Sequence, residues 1–451
     1  MLNESAEIVF KTNSYFDNIY SPLPQKNKNK FFAENFSVLY DSPFQISNSK
    51  SYFFSSMGCR HEVVFEGEVK KYTKKILSDL KKITTTEIKM MGKSPNKKYL
   101  FIINMTDSAY GGLEHSSSSV NIFDPCNLFQ KKDYQKLLGL LAHEYFHLWN
   151  VKRLRPLDLD TLDFQSPILT KELWFAEGVT SFYDNYILLQ CGLLNKEDYL
   201  AEVFQDIQAL ENSDGENWMS LEESSLTAWT KYYKPQSNSH NTGISYYMKG
   251  AIFVLCMDLY IRDKTKSKKC FLDIFKSMYI EYYQNKNTGF TKEDFFYSAK
   301  IATGVDVKKE FGKFLSSRNR LPVYKYLSLA GIQKEEKQKK LDLPFSIRED
   351  ENKKQIISKI YQQRIGSNTN LSIGDELISI NERQVNNKNF AKLKDSLHPK
   401  KEAELLIARR GKILKSLCKP YFVYLDSKLI FQQSPTKRQM AVRETFFQIH
   451  E

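Results

Sequence analysis

The string His143-Glu144-Tyr145-Phe146-His147 follows an apolar run, Leu137-Leu138-Gly139-Leu140-Leu141-Ala142. If this stretch is helical, at about 100° per residue, the two histidines lie within about 40° of each other on one face, with Glu144 adjoining them. Two imidazole nitrogens then converge on one metal ion. Zn²⁺ suits them, and the carboxylate between them is placed to take a proton from water. Two imidazoles and a carboxylate on an otherwise apolar helix are costly to desolvate without a partner, which argues against a purely structural role. A catalytic site of this kind wants a third protein ligand and an open fourth position. The candidate is Glu177, a carboxylate set among large apolar side chains in Leu173-Trp174-Phe175-Ala176-Glu177-Gly178-Val179-Thr180. Cobalt or manganese would also be tolerated by such ligands.

Those residues need rigid elements to carry them. The pattern predicts a strand at 61–65, a Lys-rich helix at 69–83 and a strong strand at 99–104, an α/β beginning. Helical signals then dominate to about Leu315, with helices expected at 135–149, 172–190, 196–211, 246–262 and around 271–283. After Leu321-Pro322 the character changes to short β-branched runs at 355–360, 376–380, 404–408 and 413–417, with one short helix near 390–397. The expected fold is therefore α+β: a small sheet, a mainly helical body and a second, β-rich domain. The boundaries read as an N-terminal β segment (1–60), a catalytic domain (61–321), a β domain (323–423) and a basic C-terminal tail (424–451) that packs on a neighbour or frays.

Composition excludes several classes. With 451 residues, 41% hydrophobic and 14% aromatic, the chain is too apolar for disorder and too dilute for a membrane bundle. The longest apolar run, Ala251 to Met257, is far shorter than a membrane span, and the first twenty residues lack a signal-peptide core. No membrane association and a cytoplasmic location are expected. Six separated cysteines without a CxxC pair propose neither a disulfide framework nor a thiolate zinc site. The net charge of +13 is spread among acids and accompanies no reader motif, so no nucleic-acid partner is expected.

Taken together, His143 to Pro156, Leu173 to Thr180 and Ser245-Tyr246-Tyr247-Met248-Lys249-Gly250 resemble the glycyl aminopeptidase family of PDZ-containing zinc metallopeptidases. The likeness runs roughly from Tyr40 to Leu417 and includes Leu39-Tyr40-Asp41-Ser42-Pro43 and Gly111-Gly112-Leu113-Glu114-His115. It implies a thermolysin-like (gluzincin) catalytic domain with one zinc per chain on His143, His147 and Glu177, and Glu144 as general acid/base. It further implies that the Tyr247 hydroxyl stabilises the oxyanion and that Glu114 pairs with the ammonium group of a peptide substrate. Gly111 and Gly112 would let the substrate backbone approach. The implied activity is removal of small N-terminal residues from peptides. An endopeptidase on the same scaffold would run peptide past Glu114, and a non-enzymatic peptide-binding scaffold would not need the intact metal set.

Two departures stand out. Family members usually carry a longer β-rich N-terminal domain than the forty or so residues ahead of Tyr40 here. In the C-terminal domain, Gly374 to Asn381 looks like a PDZ strand, but the expected carboxylate-binding loop, Leu341-Asp342-Leu343-Pro344-Phe345, has Pro344 where an amide would be needed.

Overall fold

The apolar run at Tyr99–Asn104 becomes the centre of the first sheet. The computed structural model describes every residue except 1–2, 12–14, 68, 70, 162, 337, 365–368 and 449–451. Five strands, β1 (Ser51–Ser56), β2 (Cys59–Glu66), β3 (Lys98–Met105), β4 (Tyr110–Glu114) and β5 (Ser118–Phe123), pair in the order β1-β2-β3-β5-β4. The central three are parallel, and both edge strands are antiparallel to their neighbours. Helix α1 (Thr73–Met91) makes the crossover from β2 to β3. Parallel strands are covered on both faces, which is why β3 is an unbroken apolar run. Tyr99, Phe101 and Ile103 face the main core, while Leu100 and Ile102 form a second cluster against Val120 and Tyr20. The N-terminal residues therefore cover the sheet's outer face, adding short strands and a small core of Ile19, Leu23, Phe31 and Ala33.

The helical body follows. Its site-bearing parts are α2 (Lys131–Phe146), a wide π-helical turn (Trp174–Val179) running straight into α3 (Thr180–Gln190), and α5 (Tyr246–Lys264), with α4 (Lys196–Glu211) preceding α5. Ser245 caps α5 by accepting from the Met248 amide, satisfying an amide left free at the helix start. Residues 239–264 are long and apolar enough to cross a membrane, yet 72% of their most apolar window is buried inside the molecule, as in a core helix.

Beyond Leu321 the chain forms β6 (Phe345–Glu349), β7 (Gln355–Ile360), β8 (Glu376–Ile380), β9 (Ala403–Arg409) and β10 (Lys412–Cys418), paired in that order. They enclose a separate core around Leu343, Phe345, Ile357, Leu377, Leu405 and Ile407. His240 and Asn241 of the body both reach the Ile360 carbonyl of this β region, at 3.0 and 2.6 Å. The segment expected to be a basic tail that packs on a neighbour or frays carries secondary structure of its own and packs. Strand Lys428–Phe431 pairs with Ile332–Glu335, and α6 (Lys437–Phe447) lies back on the body. Buried Phe446 and Phe447 anchor it, and Tyr186 and Arg262 donate to the carbonyls of Phe446 and Thr445. Composition hid this, because the two anchoring aromatics sit among basic and polar neighbours.

Candidate active site

Helix α2 ends at the site. His143 and Glu144 lie in its last turn and His147 caps it. The two imidazole Nε2 atoms are 3.1 Å apart, and each lies 3.3 Å from Oε2 of Glu177. The far side of each ring fixes its tautomer. Nδ1 of His147 faces the Asn150 carbonyl at 3.3 Å, which can only accept a hydrogen bond, and Nδ1 of His143 faces Asp184 at 3.6 Å. With the rings neutral, both Nε2 atoms present lone pairs to each other and to a carboxylate oxygen, and the raised pKa of both histidines shows that the arrangement draws positive charge, a proton or a metal ion. Three mutually repelling donors call for a cation between them. Tetrahedral ligands with bonds near 2.0–2.1 Å would be about 3.4 Å apart, so the donor set fits zinc. The electrostatics agree: burial alone would lower the pKa of His143, but Asp184 and Glu177 raise it well above the ordinary value. Burial likewise pushes the Glu177 carboxyl up, but His147 and His143 outweigh it and hold the group ionised.

Glu177 comes from the π-helical turn, and Asn150 holds that turn in place. The Asn150 amide donates to the carbonyls of Phe175 and Ala176 and to the Thr180 hydroxyl. This clamp joins the segment after His147 directly to the third ligand. A second constraint is a glycine-on-glycine crossing. A Cβ on Gly178 would stand 2.6 Å from the Cα of Gly250, so the Glu177 turn and α5 touch through bare backbone. Tyr247, three residues before Gly250, is thereby brought to the metal side, with its ring centroid 6.2 Å from that of His143. Its hydroxyl is 3.3 Å from that of Tyr233, which also receives the hydroxyl of buried Tyr246 at 3.4 Å. Lys249 points away from the site, fully buried beside Glu216 at 2.9 Å.

Glu144 is nine-tenths or more buried, and burial pushes its carboxyl up to about 7 against the pull of His143 and His147. Its Oε2 has no hydrogen-bond partner among the described residues. Edge strand β4 passes so close that any side chain at Gly112 would collide with the Glu144 carboxylate, while Gly111 faces open space. Glu114, two residues on, has a carboxylate oxygen within 4.8 Å of the reactive atoms of Glu144 and His147. All eight residues singled out in the sequence therefore meet in one cleft.

Others were not singled out. Asp184 lies seven residues after Glu177, one heptad along nearly the same helix face, and that spacing is the signal that could have exposed it. Asp41 accepts from the Ser116 amide at 2.8 Å and pairs with Lys152 at 2.6 Å and with His115 at 3.5 Å. It thereby ties together three separate strings that had suggested the family resemblance.

Residues 136–253 match the family described as M61 glycyl aminopeptidase. No curated protein matches the sequence. The fold is similar to that of an aminopeptidase N family protein from Idiomarina loihiensis, with 22% identity, 98% of this chain and 79% of that one covered, and a TM-score of 0.88. A looser likeness, with TM-score 0.47 and 16% identity over 70% of this chain and 47% of the other, links it to yeast LTA4 hydrolase. The family match spans α2 with its histidines, the Glu177 turn and the Tyr247 end of α5, but not β4 with Gly111, Gly112 and Glu114; over that stretch the chain is similar to the M61 glycyl aminopeptidases, and the likeness supports a peptidase.

Proposed function

We propose that the protein is a zinc-dependent aminopeptidase that releases small residues, glycine or alanine in type, from the free amino ends of peptides. The observation that carries this reading is the convergence of two imidazole lone pairs and a carboxylate, with a buried second carboxylate beside them and a third at the end of the adjacent strand. His143, His147 and Glu177 would hold the metal, which when bound supplies Lewis-acid polarisation of a carbonyl and lowers the pKa of water. Glu144 takes the water's proton and returns it to the leaving amine. Its carboxyl, pushed up to about 7, suits both directions of transfer near neutral pH. Tyr247 donates to the negative charge developing on the carbonyl oxygen.

Direction follows from β4. An edge strand offers unpaired backbone groups, and substrate can lie along it as one further strand. With its ammonium group at Glu114, the first peptide bond falls at the level of Gly112 and Glu144, and the rest of the peptide runs towards Tyr110. Desolvating an ammonium group is costly, and a carboxylate at that distance offsets the cost through a charge-assisted contact. The test is a screen of free-amine and N-acetylated peptides with metal content measured on the same sample. One zinc per chain and hydrolysis confined to free-amine peptides are expected. Internal cleavage of acetylated peptides at equal rates would replace this reading with an endopeptidase.

A further inference from the structure

Beyond Tyr110, away from Glu114, an open cleft of about 310 Å³ lies between the start of β4, the end of β5 and the first turns of α2. It is lined by Ala109, Tyr110, Phe123, Asp124, Asp133 and Lys136. Its position relative to the metal ligands follows from helix geometry. Lys136 precedes His143 by one heptad, so both lie on nearly the same face of α2, about 10.5 Å apart. An extended peptide advances about 3.3–3.4 Å per residue. From a scissile bond at Gly112 it reaches Tyr110 with its second further residue and the cleft with its third.

The lining has a definite chemistry. Tyr110 and Phe123 meet edge to face with centroids 5.9 Å apart and form an aromatic wall. Lys136 is already paired with Asp133 at 2.9 Å. Asp124 accepts the amides of Ser108 at 3.1 Å and Cys126 at 2.8 Å, which fix its carboxylate in place without neutralising it. The cleft thus holds one net negative charge beside two rings. A lysine or arginine side chain matches this lining, with its methylenes against the rings and its cation at Asp124.

We infer that this cleft is a substrate subsite that selects peptides of at least four residues carrying a basic side chain at the fourth position from the amino end. The inference rests on the aminopeptidase reading, because that reading fixes where the peptide starts and which way it runs.

The test moves a lysine or a glutamate through positions two to five of glycine-initiated alanine pentapeptides and reads the lysine-to-glutamate ratio of kcat/KM at each position. A ratio of roughly tenfold at position four, falling away on either side, is expected, the scale of one attraction gained and one repulsion avoided. Within each variant the ratio is its own control for general damage. Asp124→Asn should bring it close to one, and Lys136→Ala, at an exposed helix position, should raise it. Hydrolysis of glycine p-nitroanilide, which has no residue in the cleft, reports separately on the aminopeptidase reading. If that substrate is not cleaved, the same peptides are titrated by calorimetry into the Glu144→Gln chain, where the lysine-over-glutamate order must persist. A ratio that is flat along the peptide, or unmoved by both variants, overturns the subsite.

Discussion

Two regions of this molecule bring a carboxylate, a cationic or imidazole partner and nearby backbone groups together, and they end in opposite states. At the end of α2, three donors face one another and cannot satisfy themselves, because the Asn150 clamp and the Gly178–Gly250 crossing leave them no room to turn away. In the C-terminal β region, the loop before β6 is closed on itself. Oδ1 of Asp342 accepts the Leu343 amide at 2.8 Å and pairs with Lys394 of the Phe390–Asp395 helix at 2.6 Å. Binding capacity resides where a rigid frame holds groups in an arrangement they cannot complete alone. The same group types, allowed to pair internally, only brace the fold.

The largest effect should come from breaking the open region. Glu144→Gln is expected to keep its metal by elemental analysis and to lose turnover on the order of a hundred- to ten-thousand-fold, the span for removing a general base. Glu177→Gln should instead lower the metal content. Undiminished turnover in the Glu144 variant would refute the mechanism.

Acid should separate the two regions next. His61 is fully buried under α2, bonded to the Tyr145 hydroxyl at 2.9 Å, and burial lowers its pKa to about 4. Its folded pKa lies below the unfolded value of about 6.5, so the unfolded chain binds more protons between those values. Stability from the neutral imidazole is full above about pH 6.5 and is lost as pH falls to about 4, by about 3 kcal/mol in all. Unfolding followed against pH should show the catalytic body loosening before the C-terminal β region, and His61→Phe should flatten that dependence. An identical acid profile in the variant would assign the loss to other groups.

Tyr247→Phe sharpens the comparison at one atom. It is expected to fold, retain metal and lose about a hundredfold in turnover, the scale for one oxyanion donor. Tyr246→Phe should do less, since Tyr246 is fully buried whereas the Tyr247 ring lies against His143. The reverse order would place the oxyanion donor at Tyr246.

Gly178→Ala tests the frame rather than the donors. The added methyl has no space against the Gly250 backbone, so a loss of about 1–3 kcal/mol is expected, together with weaker metal retention as the Glu177 turn is pushed off α5. Lower thermal stability with metal affinity unchanged would show that the crossing does not position Glu177.

Much of this was legible because local pattern and tertiary role coincide. The expected span 196–211 is the observed α4, 355–360 is β7 and 376–380 is β8. The HExxH spacing placed both histidines because a single helix carries them. What stayed hidden depends on contacts between elements. The π-helical turn at Trp174–Val179 sits inside what reads as one continuous helix, and its widened hydrogen bonding is set by Asn150 from another segment. Asp184, Tyr233 and the Asp41–Lys152 pair become meaningful only once their partners are near. The helical α6 was obscured for the same reason: its stability comes from the surface it covers rather than from its own composition.

The smallest effect concerns the closed region. The parent chain should not capture peptides by a free carboxyl terminus, because the Leu343 amide and Lys394 already serve Asp342 and Pro344 has no N–H to offer. Asp342→Ala releases both groups at once. Weak binding of carboxylate-terminated peptides should then appear, with Kd on the order of millimolar, since a single amide and a partly buried lysine replace the usual cradle of several amides. Amidating the peptide terminus should abolish it. Titration of the full chain and the variant with matched free and amidated peptides distinguishes the cases. Micromolar binding by the parent that vanishes on amidation would show that the Asp342 carboxylate yields its place to a ligand, and the contrast between an open and a closed region would fail at its second member.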